Sequence, residues 1–325
     1  MPTSYLLTGG AGFIGSHLTD ALLARGDHVV ALDNLSTGRL SNLDTAGRHP
    51  NFRFVQGSVL DEMAVDELAH QCEVIVHLAA AVGVKLIVEQ PLRSLTTNIR
   101  GSENVIEAAH RYRRKILVAS TSEIYGKNTS DSLSETADRI LGAPTVARWA
   151  YSEAKAIDEV LAYAYFKERG LPTVVARLFN TVGPRQSPAY GMVIPRFVEQ
   201  ALANEPITVF GDGTQTRCFG HVTDIVDGLL RLLDHPGAIG DVFNVGSPGE
   251  ISMLDLARKI IEDTGSSSPI ELIPYDQAYE AGFEDMQRRV PDTTKLRALT
   301  GWVASRTLDD ILRDSIAEAR LQVAR

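Results

Sequence analysis

Short apolar runs alternate with amphipathic stretches through the first half of the chain. Ser4-Tyr5-Leu6-Leu7-Thr8 reads as a strand, halted by Gly9-Gly10-Ala11-Gly12. Apolar positions at Ile14, Leu18, Ala21 and Leu22 then share one helical face, which predicts a helix over Phe13–Ala24, closed by Gly26. His28-Val29-Val30-Ala31-Leu32-Asp33 is the next strand. The alternation continues with strands at 52–56, 74–78, 115–119 and 173–178 and helices at 62–70, 95–112 and 151–169. Such regularity predicts an α/β fold built on a doubly wound parallel sheet. Past residue 180 the pattern changes. Proline and glycine are frequent between 183 and 213, and short strands at 207–210 and 242–245 alternate with helices, ending in a helix near 308–321. The expected organisation is a larger domain over residues 1–180 and a smaller mixed α/β domain over 181–325, interleaved near an approximate boundary.

The first strand, helix and second strand carry chemistry as well as structure. Glycines at 9, 10, 12 and 15 occupy the first turn, and the second strand ends in Asp33, 18 residues after Gly15. Glycines permit a tight turn and close approach of a pyrophosphate, which the helix N-terminus favours with amide donors and its positive dipole end. Asp33 is placed to accept hydrogen bonds from an adenosine ribose and to repel a 2′-phosphate. NAD is therefore expected over NADP, with Arg39 on the following loop keeping NADP open. In doubly wound sheets ligands bind beyond the carboxyl ends of the strands. The 9–15 turn, Ala79-Ala80-Ala81, Thr121-Ser122-Glu123 and Phe179-Asn180 all fall there and should converge. Tyr151 and Lys155, four apart, lie on one helix face. An ammonium that close should draw the phenol toward neutral pH, where a phenolate can deprotonate an alcohol.

Composition narrows the partners. The 325 residues are 44% hydrophobic and 22% charged, with a formal net charge of −9, which does not suggest nucleic acid or an anionic membrane as a bulk partner. Cys72 and Cys218 are far apart without metal-ligand spacing, so no metal is expected and free thiols in a reducing compartment are. The start has no basic region leading into a long apolar one, and no apolar run is long enough to span a bilayer, so a cytoplasmic location is expected.

Taken in order, Thr8-Gly9-Gly10-Ala11-Gly12-Phe13-Ile14-Gly15, Asp33-Asn34-Leu35-Ser36, His77-Leu78-Ala79-Ala80, Ser120-Thr121-Ser122-Glu123-Ile124-Tyr125-Gly126, Tyr151 with Lys155, Arg177-Leu178-Phe179-Asn180, Gly183-Pro184-Arg185 and Gly211-Asp212-Gly213-Thr214-Gln215-Thr216-Arg217 resemble the extended short-chain dehydrogenases/reductases nearly end to end. The resemblance is to the nucleotide-sugar epimerase, dehydratase and decarboxylase group, with a Rossmann NAD-binding domain and a nucleotide-sugar-binding domain. It implies that Tyr151 deprotonates a sugar hydroxyl, that Lys155 lowers its pKa and binds the nicotinamide ribose, and that Thr121 hydrogen-bonds the same hydroxyl while C4 gives its hydride to NAD. It assigns NAD contacts to Gly9, Gly12, Phe13, Ile14, Gly15, Asp33, Asn34, Ser36, Thr37, Gly38, Ser58, Val59, Leu78, Ala79 and Ala80 besides Tyr151 and Lys155. Ser58 stands where family members usually carry an acid for adenine. Substrate contacts are implied for Lys85, Ser122, Asn180, Arg185, Val193, Val209, Arg217 and Arg289. Val193 and Val209 read equally as plain core, and Lys85 either meets a substrate anion or is solvated.

The fate of a 4-keto sugar decides the product. Glu123 points to chemistry that needs a second acid/base group, beyond plain 4-epimerisation. Ser122 replaces the aspartate of glucose-type 4,6-dehydratases. Arg148-Trp149 before Tyr151, and Arg289-Val290-Pro291-Asp292, resemble the decarboxylases acting on UDP-glucuronate. The expected activity is NAD-dependent decarboxylation of UDP-glucuronate to UDP-xylose, with Arg289 stabilising charge and Glu123 positioning the carboxylate end or relaying a proton. The alternatives are a UDP-sugar 4-epimerase, a 4,6-dehydratase, a GDP-sugar substrate, and an NAD-sensing protein without turnover. The helices at 95–112 and 151–169 are amphipathic and, by the resemblance, could pair across a two-fold as a four-helix homodimer interface.

Overall fold

The structure, a computed structural model, describes residues 2–188, 192–278, 284 and 286–323. The apolar runs of the first half become β1 (Ser4–Thr8), β2 (His28–Asp33), β3 (Phe52–Gln56), β4 (Val74–His77), β5 (Lys115–Thr121) and β6 (Thr173–Leu178). Between them lie α1 (Phe13–Ala24), α2 (Glu62–Gln71), α3 (Val84–Glu89), α4 (Pro91–Arg111) and α5 (Ala150–Arg169). Local chemistry sets the helix ends. Asp61 caps α2 by accepting from the Ala64 amide, proline opens α4, and Gly170 in the left-handed region (φ 68°) ends α5. The 82–90 stretch holds the short helix α3 behind Gly83.

The second half contributes β7 (Thr181–Val182), α6 (Val193–Leu202), β8 (Ile207–Phe210), β9 (Thr216–Cys218), β10 (Gly220–His221), α7 (Val222–Asp234), β11 (Asp241–Val245), β12 (Glu250–Ser252), α8 (Met253–Thr264), β13 (Ile270–Ile273), α9 (Tyr275–Ala278), α10 (Thr294–Thr300) and α11 (Leu308–Val323). The main sheet has seven strands in the order β3-β2-β1-β4-β5-β6-β11, all parallel. Residues 242–245 therefore do not lie in the smaller domain, as expected from their position, but extend the first sheet. The reason is α7, whose Leu229 and Leu232 pack into the same apolar cluster as Leu18 and Leu22 of α1. That helix serves as one more crossover and returns the chain to the sheet edge beside β6.

Successive residues of the strands serve opposite faces. Leu7, Val76, Leu117 and Val174 join the α1 and α7 layer, whereas their neighbours Leu6, Ile75, Ile116 and Val175 join the α2, α4 and α5 layer. A third cluster, around Phe197, Val209, Leu256 and Ile311, is the core of the second half, where β7–β10, β9–β12 and β8–β13 form separate two-stranded pairs. The direction of strand order reverses between β1 and β4, which opens a crevice at their carboxyl ends. No helix among the described residues is long and apolar enough to cross a membrane.

Candidate active site

The crevice is a cavity of about 760 Å3, and it begins at the glycine turn. Gly9 has φ 75°, its amide donates to the Leu32 carbonyl at 2.8 Å, and its own carbonyl accepts from Gly12 at 3.1 Å. A Cβ on Gly15 would stand 2.1 Å from the Gly9 carbonyl oxygen, and one on Gly9 would stand 2.8 Å from the Ala79 nitrogen. Only hydrogen fits at these positions, so bare backbone lines the cavity where a pyrophosphate would approach. Asp33 ends β2 with its carboxylate accepting from the Ala11 and Leu35 amides at 3.0 and 2.8 Å. Burial raises its pKa above the usual carboxylate range, and these amides with that of Gly12 offset only part of the rise. Gly38 does not line the cavity but leaves room for that carboxylate, since a Cβ there would meet both oxygens at 2.9 Å. Phe13, Ile14, Asn34, Ser36, Thr37, Ser58, Val59, Leu78, Ala79 and Ala80 line the same chamber. A bare-backbone cradle, a ribose-side acid and an enclosed apolar wall fit NAD.

A narrower cavity of about 230 Å3 opens toward the second half. Glu123, Tyr151, Asn180 and Arg289 line both, so the two chambers meet at these residues. Thr121, at the end of β5, accepts from the Glu123 amide at 3.2 Å and fixes the turn that aims Glu123 inward. Glu123 is gripped from two sides. Both terminal guanidinium nitrogens of Arg148 donate to its carboxylate, Nη2 to Oε1 at 3.0 Å, while Arg289 lies 3.5 Å away and also donates to the Ser122 hydroxyl at 3.2 Å. Burial alone would raise the Glu123 pKa; Arg148, Arg289 and then Arg217 overturn that and hold it at about 2. Glu123 is thus held as a carboxylate near neutral pH.

Tyr151 departs from expectation. Burial pushes its phenol well above 10, the charges of Glu123 and Asp158 push it further, and Arg148 offsets them only in part. The Lys155 ammonium was to draw it down, but it donates instead to Asp158 at 3.0 Å.

The remaining expected residues divide. Asn180 donates to the Cys218 carbonyl at 3.1 Å and faces both chambers. Arg185 lines the larger chamber while paired with Asp20 at 2.8 Å, and Arg217 and Val193 line the smaller. Val209 does not line either. It is fully buried in the third core cluster, because β8 alternates and turns Phe210 to the cavity instead. Lys85 falls on α3, and its side chain lies outside the described residues. Arg148 entered the sequence reading only through the resemblance of Arg148-Trp149 to the decarboxylases, with no role of its own, and Asp158 was not singled out.

A doubly wound sheet with a bare glycine turn, an acid closing β2 and a Tyr-Lys pair at the switch-point crevice defines a dinucleotide-dependent enzyme of the short-chain dehydrogenase/reductase type. The NAD dependent epimerase/dehydratase family model matches residues 5–246, and the chain belongs to that family. It is similar to a UDP-N-acetyl-alpha-D-glucosaminuronate decarboxylase of Bacillus cytotoxicus, 39% identical over 313 residues covering 96% of each chain. It is also similar to UDP-glucuronic acid decarboxylase 1 of Xenopus tropicalis, 37% identical over 96% of this chain and 70% of that one. Among solved structures it superposes on the UDP-glucuronic acid 4-epimerase of Bacillus cereus in complex with UDP-glucuronic acid and NAD, with a TM-score of 0.89, 29% identity and coverage of 98% and 99%.

Proposed function

We propose that this enzyme decarboxylates a UDP-linked hexuronate, UDP-glucuronate first. The observation that carries it is the cluster of Arg148, Arg289 and Glu123 where the two chambers meet, beside Tyr151. Guanidiniums gathered around a carboxylate at this junction suit an anionic group of the substrate better than a neutral one. NAD, when bound, supplies the hydride acceptor and a cationic ring. Tyr151 takes the proton of the sugar 4-hydroxyl, and Thr121 orients that hydroxyl. Oxidation at C4 turns the carboxylate on C5 into that of a β-keto acid, which loses CO2 and leaves an enolate; protonation at C5 and return of the hydride to C4 would then give the UDP-pentose. Arg289 stabilises the enolate charge, and Glu123 keeps the guanidiniums aimed. Arg217 and Asn180 hold the diphosphate end, and Arg185 the cofactor side.

The similarity to a decarboxylase of a 2-acetamido uronate supports a second substrate, UDP-N-acetylglucosaminuronate. Incubating both sugars with the enzyme and NAD, with product NMR and trapping of labelled CO2, distinguishes them. Release of CO2 and a UDP-pentose is expected. A product that keeps its carboxyl, such as UDP-galacturonate, overturns the proposal in favour of a 4-epimerase. Tyr151→Phe is expected to lower turnover by about three orders of magnitude or more while NAD still binds. We also propose that the enzyme works in the cytoplasm as a homodimer joined through α4 and α5.

A further inference from the structure

Arg217 and Arg289 both line the smaller chamber, at 8% and 5% exposure, yet the chain brings them there by different routes. Arg217 stands on β9, where register with Ile251 of β12 fixes its backbone. Gln215, Arg217 and Phe219 line the chamber and the residues between them do not, which is the alternation of a strand. Thr216 and Cys218 therefore face away, and Glu250, opposite Cys218 in the register, shares that outer face. Arg289 lacks such a frame. It lies in neither a helix nor a strand, and an isolated bridge joins Leu133 to Pro291 two residues further on.

Glu250 joins the two routes. Its carboxylate accepts from Nε and Nη2 of Arg288 at 2.8 and 2.9 Å, the two-pronged geometry that holds a guanidinium in one orientation. The same carboxylate accepts from the Thr216 hydroxyl, and the Thr216 amide donates to the Gln287 carbonyl at 3.0 Å. Nη1 of Arg288 reaches Asp131 at 3.0 Å. Glu250 thus grips the residue before Arg217 and the residue before Arg289 together. Arg288 turns outward to it, while Arg289 turns inward to the Ser122 hydroxyl and the Glu123 carboxylate. The side chains of Arg288 and Glu250 are 42% and 26% exposed, so their pairing adds little to stability. Its effect is geometric.

We propose that Glu250 is a positioning residue that sets the spacing between Arg217 and Arg289 from outside the chamber. This rests on the proposed reaction, in which Arg217 holds the diphosphate and Arg289 meets the charge that develops on the sugar. Diphosphate and sugar belong to one covalently joined substrate. With the diphosphate anchored, a shift of Arg289 relative to Arg217 takes the guanidinium away from the enolate it stabilises. Without the Glu250 charge, the β9–β12 ladder still holds Arg217, whereas the segment bearing Arg289 is free to shift.

The test separates the two arginines. Glu250→Gln keeps the shape of the side chain and removes its charge, and its amide nitrogen finds no acceptor on Arg288. CO2 release from whichever uronate the wild type turns over gives kcat. Calorimetry gives the Kd of UDP, which carries the diphosphate without the sugar. Expected are a fall in kcat of about tenfold and a UDP Kd that stays within about threefold. Arg288→Gln should show the same loss, and the double variant no more than either single one, because the two side chains act as a unit. If Glu250→Gln does not fold, Arg288→Lys, which keeps the charge and loses the two-pronged grip, is read by the same criteria. An unchanged kcat, matching losses in kcat and UDP affinity, or a double variant that sums the two losses overturns the role of Glu250. A wild type that releases CO2 from neither uronate overturns the proposed reaction and the role of Glu250 with it, so the two failures are told apart.

Discussion

Glu123 is useful to the protein because it cannot change its charge near neutral pH. Its carboxylate sits between Arg148 and Arg289, themselves 2% and 5% exposed, and either guanidinium would be costly to leave enclosed without a counter-charge. Its folded pKa of about 2 lies below the ordinary value, so its contribution to stability is present above the unfolded pKa of about 4.3 and is lost as pH falls through about 2. Glu123→Gln is expected to cost roughly 3–5 kcal/mol near neutral pH, by analogy with other broken buried pairs. The difference between wild type and variant should shrink as the pH is lowered through that window. Urea denaturation at several pH values measures both. A gap that stays constant with pH would mean that hydrogen bonds rather than charge hold the cluster.

At the scale of elements, α5 is bolted to the sheet by a second buried ion pair. Glu159, two turns beyond Tyr151 on α5, accepts from Arg177 of β6 at 2.9 and 2.8 Å and from the Ser120 hydroxyl of β5 at 2.5 Å. Arg177 also reaches the Tyr125 hydroxyl at 2.8 Å, and Tyr125 in turn donates to Asn244 of β11 at 2.7 Å. Asn244 donates to the carbonyls of Leu133 and Asp292, tying down the segment that presents Arg289. Glu159→Ala is expected to destabilise by about 3–5 kcal/mol in denaturant titration, because Arg177 is left buried without a counter-charge. The double replacement Glu159→Leu with Arg177→Met should recover most of that loss. A double variant as unstable as the single one would show that the hydrogen bonds around Arg177, not the uncompensated charge, set the cost. Little of this network was legible in the sequence, and the reason is physical. The sheet and the glycine turn are local features, written in runs and spacings such as Leu6-Leu7 and Gly9 to Gly15. The Arg148–Glu123–Arg289 cluster and the partnership of Lys155 with Asp158 depend on which groups burial forces together. Asp158 could pair with solvent or with Lys155 on the same sequence, and only enclosure decides. The strand at 241–245 was placed with the wrong layer for a related reason, since nothing within Val242-Phe243-Asn244-Val245 states which sheet edge is free.

The whole molecule carries a net charge of −9, yet its central cavities are lined by Arg39, Arg93, Arg148, Arg185, Arg217 and Arg289. On a chain of net negative charge, arginines gathered in the cavities favour an anionic ligand there over elsewhere. One part of the exterior is not polar. On α5, Ile157, Val160 and Tyr163 are 47%, 58% and 53% exposed on one face, and Leu92 at the start of the neighbouring α4 is 77% exposed. Beside them Leu141, Ala156, Leu161 and Ala164 line a shallow hollow rimmed by Arg139 and Glu153. An apolar stripe of this kind on two adjacent helices is what a second copy would cover, α4 and α5 against their equivalents in a four-helix arrangement. Wild-type protein at micromolar concentration is therefore expected to scatter light as a particle of about twice 35.4 kDa. Val160→Glu puts an unpaired charge at the middle of the stripe and should yield the monomer. Val160 lines neither the larger nor the smaller chamber, so the monomer should keep its NAD affinity. A wild-type monomer would remove the homodimer while leaving the chemistry of the crevice untouched. A variant that stays dimeric would move the interface to another face.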